Sequence, residues 1–336
     1  MRLSNRLLAL ALCLAFPASA FAGEEEWIRY SLAAKRATSA ANYSEAERLL
    51  KLADKEIATI ATPGTYRGIT LGNLSLVYKA KGDYPNAEVC ARQAVEIMQK
   101  AGRPDDYAFA VALSNLAGIL KDQAKLHDAE PMYEGSLAII EKIRGSESAA
   151  CATVTSNLAL HYMRQGRFEK AIPLQEKALE IYEKVLGKEH PDVAIALGNL
   201  AESYKRSDKD KDKDCVGLLE RALKIMQKVY GEEHPSVATA LDNLACFYAD
   251  KKDYENALAL ELKAVAIYEK TLGPDHPDLA ITLDNLCEVY QKLDREEEGR
   301  KLRMRSLVIS EKTLGAAHPF TLSVKERLEK MHKAGL

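Results

Sequence analysis

The sequence predicts an all-α fold: an α-solenoid of about seven antiparallel helix pairs with a C-terminal capping helix. Three observations predict it. One octet recurs six times, as LGNLSLVY, LSNLAGIL, TSNLALHY, LGNLAESY, LDNLACFY and LDNLCEVY. Its asparagines, Asn73, Asn115, Asn157, Asn199, Asn243 and Asn285, are separated by 42, 42, 42, 44 and 42 residues, and a constant period in this range marks stacked helical units. Within each copy the apolar residues return every three or four positions, which is one face of a helix.

The elements follow in chain order. Residues 1–22 read as a secretory signal peptide: Arg2 and Arg6 precede an apolar run from Leu7 to Phe16, and Ala20-Phe21-Ala22 is an A-x-A-like cleavage site before Gly23, with Ala18-Ser19-Ala20 as a second option. The run is too short for an ordinary membrane span, and no other segment is apolar and long enough. The mature chain, without a membrane span, is therefore expected to be exported, periplasmic or secreted, in a bacterium. A degenerate repeat is expected over about 24–62, with Leu32 in the asparagine place. Six clear repeats run over about 66–315. In each, the octet helix is followed by a short turn, as in Arg164-Gln165-Gly166-Arg167, and by a second amphipathic helix such as FEKAIPLQEKALEIYEKVLG. Small residues keep phase in the second helices: Ala87, Ala129, Ala171, Cys215, Ala257 and Gly299, then Ala94, Ser136, Ala178, Ala222, Ala264 and Ser306. They let helix axes approach closely. Gly187, Gly231, Gly273 and Gly315 suit the position after a helix end. Pro191, Pro235, Pro277 and Pro319 suit the first turn of the next helix. A capping helix is expected over about 319–335, with Arg327 in the asparagine place and a charged character.

Composition narrows the function classes. With 47% hydrophobic and 29% charged residues and a formal net charge of −2 over 336 residues, the chain reads as a folded soluble protein. That balance does not suggest a nucleic-acid partner, which calls for a basic surface. Beyond Cys13, the cysteines are Cys90, Cys151, Cys215, Cys246 and Cys287. Five is odd, so at least one thiol is unpaired or pairs between chains. Their spacing shows no CxxC, and they read as small packing residues in helices.

The phased Tyr and Ala positions and the consensus LGxxHPxxAxxLxNLAxxY resemble the tetratricopeptide repeat, in the 42-residue version of kinesin light chains and many bacterial repeat proteins. The resemblance covers nearly the whole mature chain. It implies a right-handed superhelix whose first helices line a concave, peptide-binding face. The six asparagines lie on those first helices. Two readings of them stand. An amide carries donors and acceptors and can hold the backbone of an extended peptide; or the asparagines bond between neighbouring helices as a ladder. Lys79, Lys121, Arg164, Lys205 and Arg206 make the first units basic beside them, and Asp242, Asp250, Asp284 and Glu288 make the later ones acidic. The family's carboxylate clamp is most nearly matched by Lys79, Asn115, Lys121 and Asn157, without the full pattern.

Nothing in the sequence calls for chemistry. In SDKDKDKD, Ser207–Asp214, the alternating aspartates resemble the start of a calcium loop, but Lys213 replaces the required glycine and Leu219 the closing glutamate. His190, His234, His276 and His318 recur once per repeat, too far apart to share one ion, and read as helix-start residues. The expectation is a non-enzymatic scaffold without cofactor or metal. It would bind a protein or peptide through Asn115, Asn157, Asn199 and Asn243, with Asn73 and Asn285 at the ends of the row, and Lys79, Lys121, Arg164 and Lys205 would add charge selection. The alternative is a structural homo-oligomer built through solenoid ends or edges.

Overall fold

The computed structural model describes residues 22–60, 63–101, 107–207 and 214–333. The signal-peptide reading, but for its last residue, and the body of the aspartate–lysine insertion, 208–213, lie outside the described residues. Among the described residues there are fifteen α-helices and no strand, and no helix is long and apolar enough to cross a membrane.

The chain divides into two compact units at Tyr182. The N-terminal unit contains α1 (Ala22–Ser39), α2 (Tyr43–Glu56), a short 3₁₀ turn, α3 (Pro63–Ala80), α4 (Tyr84–Lys100), α5 (Tyr107–Asp122), α6 (Leu126–Arg144) and α7 (Ala149–Arg164). The division falls within α8 (Phe168–Leu186). The C-terminal unit continues with α9 (Pro191–Arg206), α10 (Cys215–Tyr230), α11 (Pro235–Asp250), α12 (Tyr254–Leu272), α13 (Pro277–Lys292), α14 (Glu296–Thr313) and α15 (Pro319–Lys333). Odd-numbered helices through α13 are the first helices of pairs and even-numbered ones the second. Within each unit every second helix packs on its own first helix and on the next one, and first helices also touch directly, α3 with α5, α5 with α7, and α11 with α13.

Local sequence explains the helix ends. His190 Nδ1 accepts the backbone N–H of Asp192 at 3.1 Å, and His234, His276 and His318 do the same for Ser236, Asp278 and Phe320. The recurring histidine is thus a helix cap that satisfies one of the free N–H groups of the first turn. Asp83, Asp214 and Asp253 cap α4, α10 and α12 through their carboxylates. Gly231, at φ 80°, takes the left-handed conformation between repeats. The turn inside each pair makes the same demand at one position, nine residues after the asparagine place. Gly82 and Gly166 meet it, but so do Ala41, Ala124, Lys252 and Asp294, at φ 54° to 64°.

Packing follows from the small residues. Ala87, Ala94, Ala129, Ala171, Ala178, Ala257 and Ala264 are completely buried. Where serine replaces alanine, its hydroxyl donates across the pair: Ser136 Oγ to the Ala110 carbonyl at 2.7 Å, and Ser306 Oγ to the Ala280 carbonyl at 2.6 Å. A buried hydroxyl there is satisfied without loss of close approach. The first pair is locked by Trp27, which is buried, donates from Nε1 to Thr70 Oγ1 at 2.8 Å and meets the Tyr66 ring edge-on at 4.9 Å. The five described cysteines are free thiols, and burial pushes all of them up, Cys287 to about 12.

Candidate binding groove

A groove of about 310 Å³ opens in the N-terminal unit where the first helices α1, α3 and α5 lie side by side. Its walls are mostly apolar, with Ile69, Leu76, Met98 and Val111 among them, and both Asn73 and Asn115 line it. Two glycines of α3, Gly68 and Gly72, line it. Gly64, Gly68 and Gly72 recur every fourth residue, and each glycine costs a helix about 1 kcal/mol relative to alanine. A Cβ on Gly68 would stand 2.6 Å from Met98 Cε, and one on Gly72 would stand 3.8 Å from Asn115 Nδ2. Gly68 therefore leaves room for the Met98 side chain, while a Cβ at Gly72 would make only ordinary contact with the Asn115 amide. Asn73 Nδ2 is a buried donor with no hydrogen-bond partner. The sequence signal for this groove is the glycine spacing of α3, which the repeated octet does not contain.

Further along the same helices the site becomes basic. Lys79 Nζ pairs with Asp122 Oδ2 at 2.8 Å, both half-buried. Lys121 is buried, with Asp122 Oδ1 at 3.9 Å. Burial pushes its amine down to about 8, with Asp122 opposing and Lys79 and Arg164 adding to the effect. Arg164, on α7, is exposed. Asp122 thus answers Lys79 and Lys121, and Arg164 adds a further positive charge near Lys121, which leaves this end positive. Beneath it His161 is fully buried, its ring 5.6 Å from that of Tyr133. Burial pushes His161 down, Glu130 opposing and Lys121 and Arg167 adding. Asn157 is buried on α7 with no donor on its Oδ1.

The C-terminal unit treats the same positions differently. Asn285 Nδ2 donates to Asp242 Oδ1 at 3.1 Å, linking α13 to α11. Arg327, in the asparagine place of α15, pairs with Asp284 and with Glu288 Oε1 at 2.8 Å. The rule is the same in both: the residue in the asparagine place reaches the carboxylate just before the asparagine of the preceding repeat. In the N-terminal unit the residue reached from Asn115 would be Gly72, which has nothing to accept with. Asn199 and Asn243 are half-buried on α9 and α11. Lys205 pairs with Asp250 and lies 4.6 Å from the Phe247 ring centre. The acidic character read for the later repeats is offset in the structure: Asp250 holds Lys205, and Asp284 holds both Arg303 and Arg327. Among the described residues no three His, Cys, Asp or Glu side chains gather as a metal site.

Two models of the tetratricopeptide repeat match the chain, one over residues 66–142 and 150–213, the other over 193–236 and 237–278. No curated protein sequence matches it significantly. Among solved structures the chain is similar to BtubC (BKLC) from P. vanneervenii, with 26% identity, a TM-score of 0.55, and 68% of this chain and 91% of that one covered. It is similar to a kinesin light chain protein of Podosopora anserina with nearly identical TPR-like repeats, with 27% identity, a TM-score of 0.50, and 63% and 97% covered. A Rap protein complexed with Competence and Sporulation Factor shares the fold at 16% identity, with a TM-score of 0.64 and 93% and 78% covered.

Proposed function

The chain belongs to the tetratricopeptide repeat family, and on that premise we propose that it is an exported, non-enzymatic scaffold that binds an extended peptide segment across the first helices of its N-terminal unit. The observation that carries this reading is the groove on α1, α3 and α5, apolar but lined by Asn73 and Asn115. A ligand apolar side chain fills the groove, the two amides hold ligand backbone, and an acidic ligand group meets Lys79, Lys121 and Arg164. The buried Lys121 supports the reading. A lysine amine out of water lowers stability, and such costs are kept where a charge is used. Among proteins sharing the fold, the Rap structure is one with its partner bound, Competence and Sporulation Factor. Export rests on the pattern of residues 1–22.

The test is selection of a displayed random peptide library on residues 23–336, compared with Asn73→Ala/Asn115→Ala and with Gly72→Leu. The double variant removes the amides; the single variant keeps both asparagines and fills the groove beside them. We expect enriched peptides to carry a bulky apolar residue near an acidic one and to bind both variants at least tenfold more weakly, with circular dichroism unchanged. Peptides that bind both folded variants as tightly as the wild type would remove the groove from the function.

A further inference from the structure

The pairs α11–α12 and α13–α14 each place two side chains against each other in their interior: the residue before the asparagine on the first helix, and the residue 19 positions later on the second. In α13–α14 these are Asp284 and Arg303, and Arg303 Nε donates to Asp284 Oδ1 at 2.8 Å with both side chains buried. One repeat earlier, 42 residues back in each case, the two are Asp242 and Glu261. A carboxyl group stands where the next repeat has a guanidinium. Both are buried, Asp242 at 6% and Glu261 at 1% exposure, and they are hydrogen-bonded to each other.

Two carboxylates cannot make that bond; one of them must carry a proton. The surroundings say which. Asp242 accepts from Asn285 Nδ2 at 3.1 Å and from the Thr282 hydroxyl, both on α13. Glu261 Oε2 is buried and no donor reaches it. Donors therefore converge on Asp242, the ionised partner, and Glu261 is the acid that donates to it. The other charged groups acting on the pair are Asp278 and Glu288 on α13, which oppose a second negative charge. Cys246 on α11, half-buried, lies beside both carboxyls, and Lys205 on α9, which acts on Cys246, is paired with Glu202 and Asp250.

We infer that Asp242 and Glu261 form a one-proton latch that ties α12 to α11 and α13 and opens under alkaline conditions. Burial, with Asp242 and Glu288 adding, pushes Glu261 well above the usual carboxylate range. The sign follows. Above the ordinary glutamate range the unfolded chain has lost this proton while the folded chain keeps it, so the folded state binds more protons and stability falls as pH rises. For one proton the folding constant falls by up to about tenfold per pH unit, and the decline ends once Glu261 has ionised in the folded state.

The experiment compares the wild type with Glu261→Gln, whose amide still donates to Asp242 but cannot ionise. Urea unfolding of the full chain from pH 5 to pH 9 gives the ratio of their folding constants. We expect the ratio to move toward the variant by about tenfold per pH unit over part of this range. A ratio independent of pH overturns the latch. Infrared spectroscopy in D₂O supplies a readout that does not depend on unfolding. The wild type at pH 7 should show a protonated carboxyl band that Glu261→Gln lacks; its absence from the folded wild type would equally overturn the inference.

Discussion

Lys121 shows at the scale of one residue how stability and binding pull apart. Its stem is buried on α5 and its amine is held at about 8 by that burial. Replacing it with methionine, of similar length and without charge, should raise stability at pH 7 by about 1–3 kcal/mol, since a pKa unit is worth about 1.4 kcal/mol and the side chain is fully buried. The same change should weaken any acidic peptide ligand at least tenfold. Urea unfolding and a titration with a selected peptide would check the two halves, and a variant that is less stable than the wild type contradicts the account. Asparagines are legible in the sequence as a repeated residue, but their partners are not. Asn115 and Asn285 sit in nearly the same octet, yet one lines the groove and the other donates to Asp242. What differs is the residue a full repeat earlier, Gly72 against Asp242.

Among elements, the turns inside the pairs hold the clearest lesson. Each described pair whose turn is described needs a left-handed residue nine positions after the asparagine place, and only two of these are glycine. For an L-residue that conformation costs about 1–2 kcal/mol, while glycine loses about 0.5–1 kcal/mol in chain entropy. Ala124→Gly and Lys252→Gly should therefore each stabilise the protein by about 0.5–1 kcal/mol, measured as a higher urea midpoint with unchanged slope. Midpoints that stay put or fall would show that neighbouring contacts already offset the strain. The joints between repeats were legible because Gly and Pro mark them in fixed order. The inner turns were not, because alanine, lysine and aspartate carry no local sign that the backbone must turn left.

For the whole molecule, the last helix closes an array whose units each bury part of their neighbour. Arg327 does for α15 what Asn285 does for α13, and it adds charge to the contact: Asp284 and Glu288 both receive it. Arg327→Ala should lower the stability of the C-terminal unit by about 1 kcal/mol, a modest value because the guanidinium is 30% exposed and partly screened. Hydrogen exchange should show the loss first in α15 and then in α13 and α14. Loss confined to α1–α6 would contradict it.

The sequence by itself determined the class of architecture, the length of the repeat, the order of first and second helices and the face that each helix buries. Those features rest on signals local to each 42-residue copy: apolar periodicity, a capping histidine, a glycine stop and a proline start. Tertiary structure alone decided the candidate surface. Whether an amide is bonded to a neighbour or lines a groove, whether Lys79 stands alone or beside Asp122, and whether Asp242 meets a guanidinium or a second carboxyl depend on residues 19 to 43 positions away in the chain. Stacking brings those residues within bonding distance, and no periodicity of a single helix encodes the pairing.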